Sequence, residues 1–121
     1  MKEKPVVLIV EKMDFLANII EEYLKDDFEC IRTDDGRQAC WTVPKADIAV
    51  VSSNVVSTRS YVRGDLVRQI KELKNIPVLS LTTTQTSTAR IEFFNSGADD
   101  VMTKPFNPEE LKIRIQKLLG R

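Results

Sequence analysis

The sequence predicts an α/β domain in which a parallel sheet is wound on both faces by helices. Three observations predict it. Short apolar runs rich in Val, Ile and Leu recur at residues 5–10, 47–53 and 78–81, as strands buried on both faces would. Segments with apolar residues at helical spacing separate them. Strand and helix alternate five times along the chain, and that alternation means parallel strands joined by short right-handed crossovers.

The first run ends in Glu11, Lys12 and Asp14. Asp14 is the expected N-cap of a helix that places Phe15, Leu16, Ile19, Ile20, Tyr23 and Leu24 at helical spacing. Residues 28–33 (FECIRT) alternate like a strand with one covered face, and Asp34-Asp35-Gly36 reads as a turn. Residues 37–43 predict a short helix anchored in the core by Trp41 and stopped by Pro44. The second buried strand covers residues 47–53, and residues 54–63 read as a loop. A helix over 65–74 carries Leu66, Val67, Ile70 and Leu73 on one face, and Ile76-Pro77 leads into the strand at 78–81.

A hydroxyl-rich loop, residues 82–88, opens a helix over 89–95, with Gly97 as its left-handed cap. A last short strand covers 101–103, and Lys104-Pro105-Phe106 turns the chain. Asn107 then caps a helix with Pro108 at its first position and Glu109-Glu110 at its positive dipole end. Its apolar positions are Leu111, Ile113, Ile115, Leu118 and Leu119.

The bulk numbers exclude several classes. A chain of 121 residues makes one domain, residues 1–121. Its 18 basic and 18 acidic residues give no net charge, so no nucleic-acid face is expected. No apolar run approaches the ~20 residues of a membrane span, and the first residues lack a signal-peptide core, so a cytoplasmic location is expected. Cys30 and Cys40 fit that compartment as reduced thiols, with Cys30 in the core. With no histidine in the chain, the two cysteines make a poor zinc site, and any Ser-His or Cys-His nucleophile pair is excluded. No enzymatic role is expected. Ligands of open α/β sheets bind at the carboxyl ends of the strands, which makes Glu11 and Lys12 the first candidates for a site.

In this order the chain resembles the receiver domain of bacterial response regulators over essentially its whole length. The most specific stretch is residues 97–111, GADDVMTKPFNPEEL, with the lysine-proline pair that follows the last strand. PVLSLTT at 77–83 is similar to the family's fourth strand, VLIV at 7–10 to its first, and Asp35-Gly36 to the turn before its second helix. The resemblance implies a flavodoxin-like fold of five strands in the order 2-1-3-4-5. It also implies two-component signalling, with a histidine kinase or an output domain as partner. In the family a phosphoryl group passes to an aspartate at the end of the third strand. Mg²⁺ is held by that aspartate and an acidic pair after the first strand, and a lysine and a hydroxyl contact the phosphate.

Carried over, the lysine is Lys104 and the hydroxyl is Thr82. The acidic pair falls on Glu11 and Lys12, and the acceptor on Ser52. Asp47 lies several residues away, and a strand rises ~3.3 Å per residue, so it does not replace Ser52. Glu11 is left as a weak metal ligand, and an ammonium about 5 Å from a divalent ion costs several kcal/mol even at an effective dielectric near 20. No cofactor is expected. The resemblance therefore implies a degenerate site, a pseudo-receiver that works as a phosphorylation-independent interaction module. Lys12, Lys104 and Glu11 would cluster there, with Ser52, Ser53 and Thr82 around them. The alternative is a receiver still phosphorylated by a histidine kinase or a small phosphodonor through altered chemistry. Arg90, Asp99, Asp100, Val101, Glu110 and Arg114 resemble the helix 4/strand 5/helix 5 face through which some receivers pair as two-fold dimers, and a homodimer is one expected use of it. Against the family, loop 53–63 is a few residues longer and segment 37–46 shorter. A flavin or nucleotide site is disfavoured, because the first strand is followed by EKMD and no glycine-rich fingerprint follows any strand.

Overall fold

A computed structural model describes residues 3–84 and 86–120. Met1, Lys2, Arg121 and Gln85 of the hydroxyl-rich loop lie outside the described residues. The elements run β1 (Val6–Val10), α1 (Asp14–Leu24), β2 (Glu29–Thr33), α2 (Gly36–Thr42), β3 (Ile48–Ser52) and α3 (Asp65–Leu73). They continue as β4 (Val78–Thr82), α4 (Ser87–Asn95), β5 (Asp100–Thr103) and α5 (Pro108–Leu118). A single 3-10 turn, Val43–Lys45, extends α2. The strands form one parallel sheet in the order β2-β1-β3-β4-β5, as expected.

Alternation along each strand divides the core in two. Val7, Ile9, Val50, Leu79 and Leu81 face α1 and α5, where Ala17, Ile20, Leu111 and Ile115 meet them. Leu8, Val10, Val51, Val78 and Val101 face α2, α3 and α4, where Ala39, Val67, Ile70 and Phe93 meet them. Each fully buried Val, Ile or Leu contributes about 1.5–3 kcal/mol through removal from water.

Helix geometry corrects several expectations. In α1 the buried residues are Ala17, Ile20 and Leu24. Phe15 lies two residues from Ala17, about 200° around the helix, and is 72% exposed. Tyr23 is exposed as well. The same geometry overturns Trp41 as a core anchor. The α2 segment buries Gly36, Ala39 and Val43, and Trp41, two residues past Ala39, is 73% exposed. Leu73 and Ile113 are also on the surface. The N-cap of α1 is Met13 rather than Asp14, because the Glu11 carboxylate accepts the Met13 N–H and fixes the chain one residue earlier. The caps at Asp35, Thr86 and Asn107 each accept backbone N–H groups of the helix they open.

The long loop between β3 and α3 is fastened at several points. Ser57 Oγ donates to Gln69, and Arg59 pairs with Asp65 at 2.9 Å and Glu72 at 3.0 Å. Arg63 reaches Glu92 of α4 at 3.3 Å. Gly64, at φ +85°, lies so close to α4 that an added Cβ would stand 2.2 Å from Ser96 Oγ. Gly36, opening α2, lies directly beneath the Val56 carbonyl. The loop thus spans three helices along the carboxyl edge of the sheet.

Candidate functional site

Glu11 follows the last residue of the central strand β1, and its N–H continues the ladder to Thr33 O at 3.0 Å. That continuation buries it, with only 3% of the residue exposed. Its carboxylate is filled with donors. Oε1 accepts from Lys104 Nζ at 2.8 Å and from the Ser52 hydroxyl. Oε2 accepts from Asn54 Nδ2 at 2.9 Å and from the Met13 N–H at 3.0 Å. Burial alone would push the Glu11 carboxyl up. The hydrogen bonds from Lys104, Ser52, the Met13 N–H and Asn54 outweigh it and hold the carboxyl at about 2.

Each partner is placed by a different element. Ser52 ends β3, one strand over from β1. Lys104 follows β5, and its N–H bonds Thr82 O at 2.7 Å, so the backbone of the last strand fixes where the ammonium stands. The bond from Lys104 to Pro105 is cis. Asn54 begins the loop after β3.

The predicted residues are therefore brought together only in part. Glu11, Ser52 and Lys104 meet. Lys12 does not join them; it is exposed and forms no ion pair with a described residue. Thr82 is buried at the end of β4, but its hydroxyl accepts from the Thr84 N–H at 3.1 Å, within its own loop. Ser53 lines a neighbouring cavity instead. Asn54 was missed. The signal for it was the lone buried carboxylate, which offers about four acceptor sites and so calls for more donors than Ser52 and Lys104 supply.

The residues present do not suit a divalent cation. Among the described residues no three His, Cys, Asp or Glu side chains gather. The one carboxylate has its acceptor sites filled, and an ammonium already stands against it. A hard cation needs several free oxygens, so it would have to displace these donors.

The second predicted set also divides. Arg114 Nη1 grips both oxygens of Asp100, at 2.9 and 2.8 Å, and Nε reaches Glu110 at 3.1 Å. Arg90 lines the same hollow beside Glu110 and Arg114. Asp99 is spent elsewhere, accepting from Lys71 Nζ and the Val78 N–H. Val101 belongs to the core, only 2% exposed. An apolar groove on the opposite side went unread. Met13, Phe15, Leu16 and Ile19 of the α1 side face Phe106 and Pro108 across about 500 Å³.

A doubly wound sheet of this strand order, with one polar cluster at the carboxyl ends of β1 and β3 completed by the lysine after β5, defines a receiver-type α/β domain. The chain belongs to the response regulator receiver domain family, whose model matches residues 7–116. It is 30% identical over 95% of its length to the transcriptional regulatory protein SrrA of Staphylococcus aureus. It is 32% identical over 98% of its length to histidine kinase P4 of Formosa agariphila. The chain spans 48% of the first relative and 9% of the second. The BeF3-activated receiver domain of DrrB superposes with a TM-score of 0.86 at 25% identity, covering 98% of this chain and all of that one (100%). No described helix is long and apolar enough to cross a membrane.

Proposed function

We propose that this receiver domain serves two-component signalling as a phosphorylation-independent interaction module, with no catalysis of its own. The observation that carries it is the filled Glu11 carboxylate. Lys104, which the family turns toward phosphate, is bound to Glu11, and the acceptor position holds Ser52 donating to the same group. A general base works best with a pKa near the operating pH. Glu11, held at about 2, is far from that, so Ser52 gains no activation from it. This weighs against the alternative of a serine-phosphorylated receiver.

The partner is a signalling protein, a histidine kinase or an output domain. The surfaces offered to it are the charged face of Arg90, Asp100, Glu110 and Arg114 and the loop over residues 53–64. Backbone amide spectra recorded while Mg²⁺, then Mg²⁺ with beryllofluoride, is added test the reading. The amides of Glu11, Ser52, Thr82 and Lys104 are expected to stay in place. Saturable shifts localised there would overturn it, since they would mean that Glu11 exchanges its donors for an ion.

A further inference from the structure

A cavity of about 270 Å³ lies between the long loop, α3 and the end of β4. Its floor is apolar, made by Val51, Val55, Leu66, Val67 and Phe93, all part of the core beneath α3 and α4. Its wall is formed by Ser52, Ser53, Thr82, Thr84 and Arg63. No carboxylate is among its lining residues.

The polar groups of that wall have donor capacity to spare. Thr82 Oγ1, on a residue 1% exposed, accepts from the Thr84 N–H and donates to no described residue. The Ser53 and Thr84 hydroxyls bond to no described residue. Arg63 meets Glu92 at 3.3 Å, with both side chains nearly half exposed, and an ion pair of that kind is weak.

We propose that this cavity binds a small monocarboxylic acid with a compact apolar body, an aromatic ring or a branched aliphatic chain. The carboxylate takes charge-assisted hydrogen bonds from Arg63 and accepts from the free hydroxyls. The apolar body rests on the Val55, Val67 and Phe93 floor. The volume sits at the lower end of small-molecule sites, roughly 300 Å³, and admits one ring and a carboxylate. A neutral ligand leaves the guanidinium unused, and a cation meets it with the wrong sign. The site adjoins the Glu11 cluster, because Ser52 both lines the cavity and donates to Glu11, but it uses neither the Glu11 carboxylate nor the Lys104 ammonium. Loop residue Asn54 links the two, so occupancy is expected to register at Glu11.

The test is an NMR titration of the full chain with benzoate, and with benzyl alcohol and benzylamine at neutral pH as neutral and cationic counterparts. Saturable shifts are expected at the Val55, Leu66 and Val67 methyls and at the Ser53 and Thr84 amides. Benzoate is expected to bind about tenfold more tightly than the alcohol, the worth of one charge-assisted bond, with the amine weakest. Arg63→Met changes an exposed side chain and is expected to bring benzoate to the level of the alcohol. Ser53→Leu, at the rim, is expected to weaken all three. Shifts that stay linear in concentration, shifts that spare the cavity residues, equal binding of the three probes, or benzoate binding untouched by Arg63→Met would each overturn the proposal.

Discussion

Glu11 stays ionised because its neighbours offset the cost of burial. Its carboxyl stands at about 2 in the fold, against an ordinary value of 4.5. The folded state thus holds its proton less tightly than the unfolded chain. The stability gained is complete above about pH 4.5, is lost as pH falls toward 2, and amounts to about 3 kcal/mol. Urea unfolding followed down through that window is expected to lose this increment in the native chain, and Glu11→Gln is expected to remove that part of the pH dependence. At neutral pH Glu11→Gln is expected to cost about 3–5 kcal/mol, since it leaves the Lys104 ammonium unpaired, and adding Lys104→Met is expected to restore part of it. Trp41 makes the opposite case. Its indole should be quenched by iodide as fully in the native chain as in urea, and Trp41→Ala should move stability by less than about 0.5 kcal/mol. Glu11 was legible as the residue at the carboxyl end of the first buried strand, whereas Ser52 and Lys104 were legible only through the family resemblance. Asn54 was not, because its role depends on where a loop lands. Trp41 was misread because side-chain size says nothing about helix phase, which Ala39 and Val43 set.

Among the elements, the three central strands β1, β3 and β4 were readable from their runs of Val, Ile and Leu, since strands buried on both faces need no alternation to be seen; β2 was read from its alternation instead. The start of α1 was less readable. A side chain from before the helix, Glu11, holds its first turn, and no local pattern of the Ser/Thr/Asp type announces that. The long loop after β3 looked like an insertion of small polar residues. Its order comes instead from cations reaching three-dimensional partners, Arg59 to Asp65 and Glu72, and Arg63 to Glu92. Its contact with α2 is testable at Gly36. An added Cβ would stand 2.3 Å from the Val56 carbonyl, so backbone must move. Gly36→Ala is expected to destabilise the domain by about 1–3 kcal/mol, as overpacking does. Hydrogen exchange is expected to quicken at residues 55–61 while β4 keeps its protection.

For the whole molecule, periodicity predicted a parallel sheet, but the strand order came from the family resemblance. Pairing between β1 and β3, more than 40 residues apart, leaves no local mark on either strand. At this scale the charged face of α4, β5 and α5 also takes its meaning. Arg114 closes on Asp100 and Glu110 of its own chain, so a two-fold pair through that face must trade these contacts between copies. The domain is expected to sediment as a monomer, and to do so unchanged with Mg²⁺ and beryllofluoride. A dimer appearing only with beryllofluoride would show that the face still answers to the phosphoryl site. The ion pair between Glu11 and Lys104 joins residues 93 positions apart. During synthesis the first strand leaves the ribosome long before its counter-ion does. Until the segment after β5 emerges, a buried Glu11 has its hydrogen-bond donors Ser52, Asn54 and the Met13 N–H but no counter-ion, and an ionised group buried without one is costly.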